Sequence, residues 1–246
     1  MTTIRLCHLY PAQMNFYADR GNIAVLARRL AWRGHQLEIT ESGPGHEPSA
    51  DHELWYLGGG QDRDQTLVAG DLVDNKAPAM RAAADDGAAM LFVCGGIQLA
   101  GHSYIGVDGE TLAGAGVLDL TTMAGPERLI GDLVIDAEID GRTDTVVGYE
   151  NHAGRTTLGV GCRPLGRVIS GHGNDGTSGF EGAVRDRVIG TYLHGPLLPK
   201  NPWIADTLLG WAIEHRTGST VELEPLPDEL EAQARARAIA RAGVER

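Results

Sequence analysis

Cys94 stands at the end of the apolar run 88–93 and is followed by Gly95-Gly96 and then Ile97-Gln98-Leu99-Ala100, which can open a helix. A thiol between strand and helix sits on a tight turn where small neighbours avoid clashes, the arrangement of a nucleophile elbow. The helix N-terminus adds backbone N–H groups and a positive dipole end, both of which favour a thiolate. Cys7 and Cys162 have no such glycine elbow and read as buried core thiols. A thiolate nucleophile works with a base. His194, in Tyr192-Leu193-His194-Gly195-Pro196, follows one strand pattern and precedes a helix pattern, so a parallel sheet would bring it to the same edge as Cys94. His152 is the second candidate, and His172, between Gly171 and Gly173, reads as part of a mobile loop. Gly58-Gly59-Gly60 closes a further strand, and on that edge its backbone N–H groups, with that of Gly95, would stabilise an oxyanion. No two histidines have metal-ligand spacing, so no catalytic metal is expected. Neither a phosphate-loop Gly-Lys-Ser/Thr nor a G-x-G-x-x-G after the first strand is present, which argues against an ATP or dinucleotide site on this chain.

Delivering these residues to one edge requires alternating strands and helices, and the first half of the chain has that pattern. Residues 4–9 read as a strand; Ile23, Leu26, Ala27 and Leu30 then recur on one helical face, with Arg28, Arg29 and Arg33 pointing outward and Gly34 as the stop. Strands over 36–40 and 54–57, a helix over 65–86 and a buried strand over 88–93 complete that half. Beyond about residue 105 the pattern changes to short strands punctuated by glycine, over 133–136, 146–149, 168–170, 183–185 and 188–192, expected as antiparallel or mixed sheet closing the same domain. Asn201-Pro202 predicts a helix start with Asn201 as N-cap, running to about 215, and the tail from 228 is helical in composition. The expected organisation is one α/β domain over 1–220 with a helical extension over 221–246.

Composition sets the outer limits. The 246 residues carry 33 Asp+Glu against 21 Lys+Arg, a formal net charge of −12, which leaves no basic patch for nucleic acid. Glycine accounts for 34 residues, about twice its usual share. Three cysteines without a Cys-x-x-Cys pair support neither a disulfide framework nor a zinc ribbon. With no signal-peptide pattern and no apolar run near the roughly 18 residues that span a bilayer, a soluble cytoplasmic protein is expected.

Taken together, the motifs resemble the class I, triad-type glutamine amidotransferases: Cys94-Gly95-Gly96-Ile97-Gln98 matches their C-x-G-x-Q elbow and Gly58-Gly59-Gly60 their oxyanion-strand loop. Tyr192-Leu193-His194-Gly195-Pro196 and Gly148-Tyr149-Glu150-Asn151-His152 resemble the cobyric-acid-synthase-like (CobB/CobQ) branch. Leu9-Tyr10-Pro11, Met14-Asn15, Asp19-Arg20-Gly21-Asn22-Ile23 and Gly154-Arg155-Thr156 are more narrowly similar to the glutaminase subunits of lipid II isoglutaminyl synthases. The similarity runs over about residues 4–210.

The resemblance implies a flavodoxin-like, mostly parallel sheet flanked by helices. It implies Cys94 as nucleophile, His194 as base, Gly60 and Gly95 at the oxyanion, Arg128 and Gln98 on the substrate glutamine, and Gly59, Asn151 and His152 in secondary positions. Without it, Arg128 would read as a solvated charge beside Pro126-Glu127. It further implies a heterodimer in which a Mur-ligase-like synthetase subunit holds ATP and magnesium, no cofactor being held by this chain, and amidates the D-glutamate α-carboxyl of the lipid II stem peptide at the inner membrane face. The sequence departs from the wider class at the triad acid: the second residue after His194 is Pro196, so another acid of this chain or one from the partner would orient the imidazole. An acceptor of another kind, such as a corrinoid carboxylate, or a non-catalytic scaffold role are the alternatives.

Overall fold

A computed structural model describes residues 1–15 and 20–245; Asp19, within the motif quoted above, lies outside the described residues. The chain opens with β1 (Thr3–Leu9), α1 (Arg20–Trp32), β2 (Gln36–Ser42) and β3 (Leu54–Leu57). A helical stretch follows in three pieces: α2 (Asp62–Asp71), a π-helical turn (Leu72–Lys76) and α3 (Ala77–Asp85). The sequence pattern predicts one unbroken helix there. The π turn closes with Ala77 N–H on Leu72 O, and Pro78, which has no N–H to donate, stands in the first turn of α3 where none is needed.

β4 (Ala89–Val93) runs directly into α4 (Gly95–Ala100), and β5 (Ser103–Ile105), β6 (Thr111–Ala113), β7 (Leu120–Ile139), β8 (Arg142–Leu158), β9 (Gly166–Ser170) and β10 (Phe180–Glu181) follow. β11 (Ala183–Arg185), β12 (Val188–Thr191), α5 (Pro202–Thr217) and α6 (Glu229–Arg241) complete the chain.

Two sheets result. The first has the order β11-β12-β4-β3-β1-β2, with β11 antiparallel at one edge and the remaining pairings parallel. Ile23, Leu26 and Leu30 of α1 and Ile204 and Leu208 of α5 pack on one face; Val68 of α2, Met80 of α3 and Ile97 of α4 pack on the other. Burial on both faces is why β3 and β4 read as unbroken apolar runs. Strand ends on such a sheet share one edge, and the first sheet therefore collects the ends of β3, β4 and β12.

The second sheet is antiparallel apart from the β5–β7 pair, with the order β10-β9-β7-β5-β6 and β8 laid on β7. β7 and β8, at 20 and 17 residues, are far longer than the short strands expected. Glycines at 125, 131, 148 and 154 interrupt the sequence pattern, whereas backbone pairing continues through them except at an irregularity between Ala124 and Leu129.

Two further expectations are corrected. Arg28 is exposed, but Arg29 is only 2% exposed: its Nε donates to Asp206 Oδ1 at 2.7 Å and its Nη2 to Asp228 Oδ2 at 3.0 Å, and Arg33 joins Asp206 at 2.9 Å. A planar guanidinium can serve two carboxylates at once, and helix periodicity cannot reveal carboxylates arriving from residues 206 and 228. Asn201 does sit at the start of α5, but its side chain makes no cap bond to the helix. Instead Oδ1 accepts from Val147 N at 3.0 Å and Nδ2 donates to Val147 O and Leu197 O at 2.8 Å, tying the helix start to β8.

The tail is helical as expected and lies on the domain's own surface. Ala238 packs with Val134 and Val147, Arg235 pairs with Asp144 at 3.2 Å, Arg241 bonds Asp132, and Ser170 Oγ donates to Ala242 O at 3.0 Å. No helix among the described residues is long and apolar enough to cross a membrane.

Candidate active site

Cys94 is the residue at which β4 becomes α4, and its backbone has φ 53° and ψ −109°. A side chain at positive φ carries strain and persists only where its surroundings enforce it. Here the Cys94 N–H donates to Thr191 O of β12 at 2.8 Å, and Cys94 O accepts from Ile97 N at 3.2 Å. The glycines that follow have a measurable reason: a Cβ on Gly96 would lie 2.3 Å from Leu57 O, and one on Gly95 would lie 3.0 Å from both N and O of Gly60. The elbow is thus pressed against the end of β3. Gly96→Ala is expected to destabilise the fold by about 3 kcal/mol, as overpacking against backbone does, lowering the melting temperature by roughly 6–12 °C; a thermal scan reads it directly.

The close approach brings the Gly60 and Gly95 backbones together beside Cys94, with Gly59 buried just before. A cleft of about 420 Å³ opens there, lined by Gly60, Gln65, Cys94, Gln98, Arg128 and His152 among others. The Cys94 Sγ faces Asn151 O at 4.0 Å. On the same wall Arg128 donates from Nε to Asn151 Oδ1 and from Nη2 to Asn151 O, both at 2.7 Å, so this exposed arginine is held over the cleft rather than loose in solvent. Gln98 also lines the cleft, with both ends of its amide engaged: Oε1 accepts from Gln65 Nε2 at 2.9 Å and Nε2 donates to Tyr192 Oη at 3.3 Å.

His194 lies just behind this wall, 1% exposed, three residues beyond the Thr191 carbonyl that takes the Cys94 N–H. It forms an antiparallel bridge with Tyr149, whose ring meets the imidazole edge at 5.9 Å. Burial, followed by the charges of His152, Lys200 and Arg128, pushes the His194 imidazole down to about 4, so the ring is neutral at ordinary pH. His152 lines the cleft itself, stacked on Tyr192 at 3.6 Å, with Nδ1 on Gly154 O at 2.9 Å. Pro196, at the position of the expected triad acid, packs against Gly21.

Glu150, not among the expected site residues, brings the carboxylate that acts on these histidines. It is fully buried, lies 3.7 Å from His152 Nε2, and acts on His194 by its charge. His172 N and Nδ1, both at 2.7 Å, and Gly173 N at 2.9 Å donate to it. Burial alone would raise the Glu150 carboxyl, but His152 beside it, with the His172 and Gly173 donors, outweighs burial and holds it below its ordinary value. His172, expected in a mobile loop, is instead tied down by this bonding. Gln65 and Tyr192, which buttress Gln98, were also missed as site residues. Gln65 stands one turn into α2, and only the meeting of α2 with α4 makes it part of the wall. Cys7 and Cys162 lie away from the cleft: burial pushes the Cys7 thiol up to about 12, and Cys162 Sγ accepts from Asp119 N at 3.1 Å.

Comparison with known proteins agrees with this geometry. Residues 5–202 match the model of the CobB/CobQ-like glutamine amidotransferase domain. The chain is 39% identical over 243 residues to subunit GatD of the glutamine-hydrolysing lipid II isoglutaminyl synthase of Staphylococcus aureus, covering 98% of this chain and 97% of that one. It is 34% identical over 229 residues to the Streptococcus pneumoniae counterpart, covering 92% and 87%. Among solved structures, a chain of PurLQS from Thermotoga maritima superposes with a TM-score of 0.59 at 15% identity, over 87% of this chain and 99% of that one; at that identity the likeness concerns the fold alone.

Proposed function

The chain belongs to the family of CobB/CobQ-like glutamine amidotransferase domains, and from this membership we infer that it is the glutamine-hydrolysing subunit of a lipid II isoglutaminyl synthase. The observation that carries the reading is the strained Cys94 elbow, bonded to the strand that leads to a neutral, buried His194 and pressed against the Gly60 backbone. His194 takes the Cys94 proton, and the thiolate attacks the carboxamide carbon of glutamine. N–H groups at Gly60 and Gly95 face the oxyanion that forms. Ammonia leaves with the proton from His194, and water hydrolyses the γ-glutamyl thioester to glutamate, restoring the thiol.

Arg128 is the residue proposed to hold the glutamine α-carboxylate. A guanidinium has five N–H donors, two of which are committed to Asn151. Arg128→Ala is expected to raise KM for glutamine by about tenfold or more with kcat little changed, the signature of lost ground-state binding; steady-state glutaminase assays separate the two constants.

The relatives are named as subunits, and this chain likewise works with a partner. The partner proposed is a Mur-ligase-like synthetase that holds ATP and magnesium, activates the D-glutamate α-carboxyl of the lipid II stem peptide, and brings this chain to the inner membrane face. Feeding amide-¹⁵N glutamine to the co-expressed pair with lipid II and ATP tests the reading. Label in a D-isoglutamine residue is the expected result; glutamate release without labelled lipid II would move the function to another acceptor.

A further inference from the structure

Where the chain leaves the second sheet for the first, β10 ends at Glu181, and Gly182 alone separates it from β11. Glu181 is fully buried although it belongs to a type of residue that is seldom buried without a partner. Its Oε1 accepts from Thr191 Oγ1 at 2.9 Å and from Tyr192 N at 2.7 Å. Thr191 Oγ1 in turn accepts from Leu193 N at 3.0 Å. Oε2 is buried with no hydrogen-bond partner among the described residues. Burial, with the charge of Glu150 adding to it, pushes the Glu181 carboxyl up to about 8 against the two donors, which favours its uncharged form.

These bonds fall where β12 comes off its ladder with β4. Pairing between the two strands ends at Thr191 and Val93, and the buried N–H of Tyr192 and hydroxyl of Thr191 would otherwise lose their acceptor, which is unfavourable for buried polar groups. Thr191 is also the residue whose carbonyl takes the Cys94 N–H, and His194 stands three residues on. We infer that Glu181 is a positioning residue for the reaction proposed above, tying the end of β12 to the second sheet so that Cys94 and His194 hold their places against a wall carried by β7 and β8. The inference rests on that reading of Cys94 and His194. A residue that merely filled the core would be better served by an apolar side chain, since the orphaned Oε2 is a cost. What Glu181 supplies is one acceptor oxygen shared by two donors, and through Thr191 a fixed path for Leu193.

The test uses the full chain in complex with its partner subunit and three variants, Glu181→Ala, Glu181→Gln and Thr191→Val. Glu181→Ala and Thr191→Val are expected to lower kcat for glutamate release about ten- to a hundredfold, the size of loss that small displacements of reacting groups cause, with KM for glutamine kept. Alkylation of Cys94 by iodoacetamide, read at that cysteine by mass spectrometry, should slow in parallel. Glu181→Gln keeps an acceptor oxygen and should restore both. Wild-type kcat and wild-type alkylation in Glu181→Ala, with only a lower melting temperature, would overturn the inference. If Glu181→Ala does not fold, Thr191→Val decides in the same way. If the wild-type complex releases no glutamate, the functional reading fails by itself, and the alkylation rates still decide whether Glu181 positions the elbow.

Discussion

Replacing Cys94 with serine is expected to stop glutamine hydrolysis, lowering glutamate release by at least about 10⁴-fold, as loss of a nucleophile does when the remaining groups act only through it. Synthesis by the complex with added ammonium as nitrogen source should continue unchanged. The substitution is informative because it is structurally mild. Serine has the same Cβ as cysteine, so the strain at φ 53° is neither added nor relieved, and the N–H bond to Thr191 O is a backbone bond that survives. The melting temperature should therefore stay where it is while the chemistry disappears, because a hydroxyl is far harder to ionise than a thiol. A serine variant that keeps a substantial share of the glutamine-dependent rate would sink the thioester route. Loss of both the glutamine- and the ammonia-driven reactions would point to a broken complex.

Loss of the His194 imidazole is expected to cost about 10³-fold in kcat, within the range a general base supplies. His194→Asn keeps a polar side chain of similar breadth, and the double variant with Cys94→Ser should be no worse than the worse single one, since the pair acts as a unit. The pH dependence carries a sharper signature. An ordinary imidazole titrates near 6.5, but burial and the surrounding cations push His194 down to about 4. The acid limb of kcat/KM, which reports the free enzyme, should accordingly fall near pH 4 where His194 sets it, rather than near 6.5. The same shift acts on stability with a definite sign. Between about pH 6.5 and 4 the unfolded chain binds the proton and the folded chain does not, so this group makes the fold lose stability as pH falls through that window. Thermal scans of His194→Asn against wild type across the window should show a shallower loss in the variant. An acid limb that stays near 6.5 would mean that the imidazole is solvated in the working enzyme.

Much of this could be read from residue order alone. The apolar run into Cys94-Gly95-Gly96 and the glycine run after β3 are local signals, because a strand-to-helix turn and the residues that tolerate it lie within a few positions of one another. The parallel order of the first sheet followed from strand–helix alternation in the same way. Arg128 is different: its neighbours in sequence say surface, and only the family resemblance implies a place for it at the substrate. What the structure adds is that two bonds to Asn151 across the β7–β8 ladder hold it over the cleft.

Periodicity could not find what depends on distant partners. Arg29 looked solvated until Asp206 and Asp228 met it, and Asn201 looked like a helix cap until Val147 took its amide. Glu150 and Glu181, both fully buried, are held below and above the ordinary carboxyl value respectively, although nothing in their adjoining residues separates them. Local order along the chain determined the elbow, the glycine loop and the strand that leads to His194, because backbone conformation and hydrophobic period are properties of neighbouring residues. Tertiary structure decided which charges are paired, how far the His194 imidazole is desolvated and which carboxylate acts on it, because desolvation and hydrogen bonding depend on atoms that arrive from elsewhere in the chain.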